Sequence, residues 1–177
     1  LSYFELGAGD SALIGLGTVN VLYGAVSAMA QRDLKYVVGY SSVSHMGYVL
    51  MGIATLHPVG LAGAVLQMFS HGIMTALMFA LVGTIYDRAH IRDITVLNGL
   101  FKRMGVASFF FAIAGLTSLG LPGLSGFIAE FMVFTGAFRT YLPLAVLAVV
   151  GALLTAVYIL RLLARTFFGK ADPKWQH

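Results

Sequence analysis

Cysteine is absent from this 177-residue chain. That excludes disulfides and thiolate-held iron–sulfur clusters, and it leaves the redox compartment unspecified. Charge is scarce as well: Asp, Glu, Lys and Arg make up only 10% of the residues against 59% hydrophobic ones, with a mean hydropathy of +0.88. Soluble domains carry about 25% charged residues, so this composition is that of an integral membrane protein. Strand-type alternation is missing, which argues against an outer-membrane barrel. No G-x-S-x-G, Walker, H-E-x-x-H or dinucleotide-binding pattern occurs, and the motif-based enzyme classes lose their support with them. The net charge of +4 and pI near 9.5 do not point to nucleic acid, because the basic residues flank apolar runs and no basic patch interleaved with aromatics appears. No signal-peptide pattern opens the chain; it starts at Leu1 in the polar stub LSYFELGAGD and reads as a piece of a longer subunit.

What is present is a series of apolar runs. They predict an all-α integral membrane fold of five passes in a single membrane domain, at about 11–30, 36–56, 59–86, 105–138 and 142–160. Apolar residues run all round each segment, as in buried or lipid-facing helices. The third run is too long to cross upright and must tilt or protrude. Five passes put the N-terminus and two loops on one side with a single basic residue, Arg139. The other side carries Arg32, Lys35, Arg88, Arg92, Lys102, Arg103, Arg161, Arg165, Lys170 and Lys174. By the positive-inside rule the segment begins outside and ends in the cytoplasm or matrix.

The run at 105–138 is too long for one straight span, since roughly 20 apolar residues cross a bilayer. Its middle reads Gly120-Leu121-Pro122-Gly123-Leu124-Ser125-Gly126. Pro122 removes a backbone donor, and Gly123 and its neighbouring glycines tolerate an unwound turn, so the fourth helix is predicted to be broken there. Glu130, the only acid in that run, follows the break. A charge at bilayer depth costs at least ~2.5–3.5 kcal/mol on insertion scales, and a broken membrane helix with a nearby acid is the mark of an ion or proton site.

His45 and His71 fall near the middle of the second and third runs. Ser41, His45 and Tyr48 share one helical face; Gln67, His71 and Thr75 share another. Asn20 and Ser27 add polarity to the first run, and Thr155 and Tyr158 to the last. A buried histidine also serves as simple hydrogen-bonded packing, and Ser and Thr commonly bond their own backbone. The combination of two histidines and one glutamate points further, to proton handling: histidine titrates near neutral pH, and removal of water disfavours the charged form of a carboxyl group. Metal binding is not expected, because the spacings fit no ligand motif. Tyr86-Asp87-Arg88-Ala89-His90 reads as a helix end with its interfacial loop, and His57 and His177 carry no signal.

The stretches Gln31-Arg32-Asp33-Leu34-Lys35, Gly39-Tyr40-Ser41-Ser42-Val43-Ser44-His45-Met46-Gly47, Gln67-Met68-Phe69-Ser70-His71-Gly72, Tyr86 to Asp93, and Gly120-Leu121-Pro122-Gly123 to Glu130-Phe131 together resemble the antiporter-like membrane subunits of respiratory complex I. The resemblance implies a fourteen-helix fold with two inverted five-helix repeats, this chain being the second repeat, helices nine to thirteen. It implies that His45 and His71 are relay residues of a central polar axis and that Glu130 is the terminal acid on the exit side. A glutamate there is typical of the subunit M, or chain 4, branch; sister subunits usually carry lysine. The family's first repeat supplies a Glu–Lys pair and a bridging lysine, whereas no lysine lies inside any run here, so the input half-channel lies outside this sequence. The implied function is proton translocation driven by quinone reduction elsewhere. This chain would hold no cofactor of its own, while FMN, iron–sulfur clusters and quinone belong to other subunits. The implied partners are neighbouring antiporter-like subunits of the membrane arm and the lipid bilayer. Subunits of multisubunit sodium/proton antiporters and of membrane-bound hydrogenases share much of this motif set, and a purely structural membrane subunit is the third reading.

Overall fold

The structure, a computed structural model, describes residues 8–169. Lys170, Lys174 and His177, and the first seven residues of the N-terminal stub, lie outside the described residues. Six α-helices follow one another: α1 (Ala8–Ala30), α2 (Leu34–Ala54), α3 (Pro58–Ala89), α4 (Gly105–Ser118), α5 (Ser125–Thr140) and α6 (Leu142–Thr166), with a 3-10 turn at Leu100–Lys102. Among the described residues there is no strand, only one isolated bridge between Asp33 and Asp93.

Local chemistry sets the boundaries. Asp33 caps α2 by accepting from the Lys35 amide at 2.8 Å. Pro58 occupies the first turn of α3, where a missing N–H costs nothing, and the His57 ring accepts from the Val59 amide at 3.2 Å. His57 therefore has a capping role that its sequence position alone did not suggest. The helix α3 ends on His90, whose φ of 52° lies in the left-handed region. The α1–α2 turn is tied to the α3–α4 connection by two backbone bonds, Leu34 N to Arg92 O at 2.9 Å and Ile94 N to Arg32 O at 2.8 Å.

Among the described residues, three helices are long and apolar enough to cross a membrane: Ser11–Ala30, Pro58–Ala89 and Leu142–Thr166. The 32 residues of α3 extend roughly 48 Å, well beyond a hydrocarbon core of about 30 Å. The helix α2 has 21 residues but is less apolar, because it carries Ser41, Ser42, Ser44, His45 and three tyrosines. Two of them, Ser41 and His45, belong to the site described below. The expected break in the fourth run is present and falls between Ser118 and Ser125.

Close packing of α1 on α2 depends on glycine. A Cβ on Gly47 would lie 2.6 Å from the Gly17 carbonyl oxygen, and one on Gly24 would lie 2.5 Å from the Ser44 nitrogen. Such small residues let membrane helices approach backbone to backbone. Two apolar clusters result. One joins Ala25, Val37, Met78, Ile85, Phe111, Ile159 and Phe167; the other joins Ile14, Val21, Met51, Val133, Ala137 and Ala148. Along α2 they are separated by Ser41 to His45, and along α6 by Gly151 to Thr155. A polar layer is thus enclosed between two greasy ones, while Leu16, Val19, Tyr23 and Val26 line an exposed apolar face of α1.

Candidate functional site: a buried histidine–glutamate cluster

The polar layer is centred on His45, which is only 1% exposed. Its Nδ1 lies 2.9 Å from the Ser41 carbonyl oxygen one turn back, and its Nε2 lies 2.9 Å from the Ser118 carbonyl oxygen of α4. The second contact follows from the sequence of the break. In a continuous helix the Ser118 carbonyl would accept from the amide of residue 122, but that residue is Pro122 and has no N–H. The turn instead closes with Gly120 N to Thr117 O at 3.2 Å and Leu121 N to Leu116 O at 3.1 Å. The proline thus releases a buried carbonyl, and the imidazole of α2 takes it.

Glu130, on α5 beyond the break, is buried at 7% exposure. Its Oε1 stands 3.8 Å from His45 Nε2, an ion-pair distance but too long for a direct hydrogen bond. The ring of His71 on α3 lies 5.1 Å from that of His45, centroid to centroid. The three titratable groups anticipated on three separate runs are therefore brought together around His45.

Two carbonyls facing the two nitrogens of His45 match a ring with hydrogens on both. A ring with one hydrogen leaves a lone pair against an oxygen unless another donor intervenes. The nearby hydroxyls supply the candidate. Ser41 Oγ is 3.5 Å from Nδ1 and 3.4 Å from Ser118 Oγ, and the Tyr158 hydroxyl of α6 donates to it at 2.8 Å.

The supporting residues divide. Ser41 is in the cluster. Thr75 lies against the ring of His71, its Oγ1 3.3 Å from Nδ1 and 3.1 Å from Nε2. Tyr48 sits beside His45, ring centroids 6.4 Å apart, but its hydroxyl donates to the Ala148 carbonyl of α6 at 3.3 Å. Gln67 is buried, and its Oε1 has no hydrogen-bond partner among the described residues. It lies on α3 between Gly63, which packs on Ala129 and Val133, and Ser70, which bonds Ser125 at 2.7 Å. Pro122 and Gly123 are exposed in the turn; the break residue that touches the site is Gly120. Thr155 bonds the Gly151 carbonyl of its own helix at 3.1 Å.

Ser118 was not among the candidates, and Tyr158, noted as a polar residue of the last run, was not tied to the histidines. The signal for Ser118 was its position four residues before Pro122. Tyr158 was visible as a phenol in an apolar run, with nothing local to say which helix it meets. Among the described residues no group of three or more His, Cys, Asp or Glu side chains is arranged to hold a metal ion.

A buried cluster of titratable side chains thus sits at the break of an apolar helix. Residues 4–155 match the family described as NADH:quinone oxidoreductase/Mrp antiporter, TM, and the chain belongs to that family. Over 172 residues it is 46% identical to the NAD(P)H-quinone oxidoreductase chain 4 of Acaryochloris marina, covering 92% of this chain and 32% of the relative. The chain 4 of Prochlorococcus marinus (strain MIT 9301) is 44% identical over 171 residues, covering 92% of this chain and 32% of the relative. The chain thus spans about a third of the length of the curated relatives it matches. Among solved structures, a chain of respiratory complex I from Thermus thermophilus with bound NADH superposes with a TM-score of 0.90 at 32% identity, over 93% of this chain and 35% of that one. A chain of the Mrp complex from Dietzia sp. superposes with a TM-score of 0.89 at 26% identity, over 94% of this chain and 31% of that one.

Proposed function

We propose that this chain is the exit half of a proton-translocating membrane subunit of a complex I-type NAD(P)H:quinone oxidoreductase. The observation that carries the reading is the convergence of His71, His45 and Glu130 in one buried layer, with Glu130 3.8 Å from His45. A proton held on His71 passes to His45 and from Nε2 to Glu130, and leaves on the outer side of the break. Each step spans more than a hydrogen bond, so side-chain movement or an intervening water completes it.

In this reading the helices make five passes, with α4 and α5 together forming the fourth. The set is one of two inverted repeats, and the lysine-bearing input half-channel belongs to the other. The charge distribution supports an N-terminus of this segment on the outside and a C-terminus in the cytoplasm or matrix. The subunit acts as a non-redox part of the enzyme; flavin, iron–sulfur clusters and quinone chemistry reside in its partners. Its neighbours are other antiporter-like subunits of the membrane arm, and its exposed apolar faces meet them or lipid.

The likeness to an Mrp complex chain favours a second reading, in which the same cluster exchanges protons for sodium without quinone. One experiment addresses both. Glu130→Gln is placed in the complete subunit, and protons moved per electron are measured in vesicles holding the assembled oxidoreductase. Electron transfer with strongly reduced pumping is the expected outcome. Normal pumping in a normally assembled complex would sink the assignment. Sodium-dependent proton movement in a redox-free assembly would move the chain to the exchanger.

A further inference from the structure

The cluster contains one residue whose hydroxyl the relay does not use. Tyr158 lies on α6, is 3% exposed, and sends its hydroxyl hydrogen to Ser41 Oγ at 2.8 Å. Its ring packs in the apolar cluster with Ile159 and Leu162, and its buried hydroxyl, which needs an acceptor, takes Ser41 Oγ rather than a backbone carbonyl. The direction of the bond matters. Ser41 has one hydrogen, and two acceptors lie within reach of it, Ser118 Oγ at 3.4 Å and His45 Nδ1 at 3.5 Å. Back-bonding to the helix is the ordinary choice for a buried serine, as Ser42 does here with the Val38 carbonyl at 3.1 Å. Ser41, held from the other side by Tyr158, has its contacts with Ser118 and His45.

The consequence reaches His45. When the ring is neutral, its single hydrogen sits on Nδ1, donating to the Ser41 carbonyl, or on Nε2, donating to the Ser118 carbonyl. Only Nε2 faces Glu130. A hydrogen on Nε2 leaves the Nδ1 lone pair against a carbonyl oxygen, an arrangement that needs a donor nearby. The Ser41 hydroxyl is that donor. We propose that Tyr158 is a positioning residue of the proton site, holding the Ser41 hydroxyl so that neutral His45 keeps its hydrogen on Nε2, the nitrogen facing Glu130. When a proton from His71 adds to Nδ1, the Nε2–H bond breaks as a Glu130 carboxylate oxygen takes that proton, and His45 is left neutral with its hydrogen on Nδ1, donating to the Ser41 carbonyl. One buried hydrogen bond biases the two tautomers by roughly fivefold. The inference rests on the proton-relay reading above.

The test uses Tyr158→Phe, Ser41→Ala and their combination in the complete subunit within the assembled complex, with protons per electron measured across the neutral pH range. The titratable groups around His45 are Glu130 from α5, His71 from α3, Tyr158 from α6 and Tyr48 on its own helix, so a changed pH profile reports on this cluster. Each single change is expected to lower the ratio several-fold and to alter its pH profile. The double change is expected to be no worse than either, because both act through one hydrogen bond. Ser41→Thr, which restores a hydroxyl, is expected to recover what Ser41→Ala loses. A Tyr158→Phe complex with the parent's ratio and profile overturns the proposal, and so do losses that multiply in the double variant. If Tyr158→Phe does not assemble, the Ser41 pair decides, and equal ratios for Ala and Thr overturn it. Glu130→Gln in parallel separates the two levels. Normal pumping there removes the relay itself; lost pumping there with a parental Tyr158→Phe removes only the role of Tyr158.

Discussion

The carboxylate of Glu130 lies against the bare backbone of Gly120. A Cβ at residue 120 would stand 2.7 Å from Glu130 Oε2, and the residue holds a φ of 71°. The break thus does two things at one glycine: it turns the chain through a left-handed conformation, and it leaves room for the acid that follows it ten residues later. Gly120→Ala is expected to fail on both counts. The backbone strain alone costs on the order of 1–2 kcal/mol, and the methyl displaces the carboxylate from His45. Reduced thermal stability of the extracted complex, together with lost pumping in what assembles, is the expected pair of results.

Pro122 is exposed and touches no titratable group, yet it controls one through the Ser118 carbonyl. Pro122→Ala restores an amide that competes with His45 Nε2 for that oxygen. The expected result is a complex that assembles and transfers electrons but moves fewer protons per electron. Pro122→Ala pumping like the parent would separate the break from the chemistry.

The α1–α2 crossing has no room for side chains. Gly47→Leu drives a branched side chain into the Gly17 carbonyl and Val21. Overpacking of this kind costs about 1–3 kcal/mol or more. The predicted outcome is poor assembly measured by native electrophoresis, in contrast to Gly39→Ala, where an added Cβ meets nothing within 4 Å.

Outside the membrane, Asp93 caps its own turn, accepting from the Thr95 hydroxyl at 2.6 Å and the Thr95 amide at 2.8 Å. The Thr95 hydroxyl bond first, then its amide, hold the Asp93 carboxyl below its usual range. A carboxyl whose pKa is lowered on folding stabilises the fold above its unfolded value, and loses that contribution as pH falls through the folded value. Amide exchange at Val96 and Leu97, which bond the Asp93 carbonyl at 3.1 and 3.0 Å, is therefore expected to accelerate on acidification below the ordinary carboxylate range. In Thr95→Val that acid dependence should weaken and move up toward the ordinary range.

The helices were legible because each reading rested on something local. The runs of apolar residues, the proline after His57 and the GLPGLSG stretch place most ends and the interruption within a few residues, but α6 continues to Thr166, past the expected end near 160, because Arg161 and Arg165 continue the helix beyond the apolar run. The assembly of His45, His71 and Glu130 in one layer also followed from position, since all three occupy comparable depths on their helices. What position alone did not show was which polar neighbours join them. Gln67 and Tyr48 share faces with the histidines, yet Tyr48 bonds α6 and Gln67 bonds neither histidine, because a helical face spans many directions and the neighbouring helix selects among them. Tyr158 enters from the far end of the chain through a contact that no spacing rule describes. The sequence placed the hinge at Pro122 and Gly123; the structure adds Gly120 on the inner side of the turn, where the acid needs space.

The released carbonyl of Ser118 makes the break more than an interruption. A backbone oxygen carries a fixed partial charge and cannot titrate, so it acts on His45 as a dipole whose aim depends only on the shape of residues 119–124. Any pull or push that reshapes that turn, from a neighbouring helix or a distant subunit, re-aims the dipole and alters the electrical potential at the imidazole. On the proposed relay, a length of unwound main chain would convert mechanical displacement into a voltage at the imidazole.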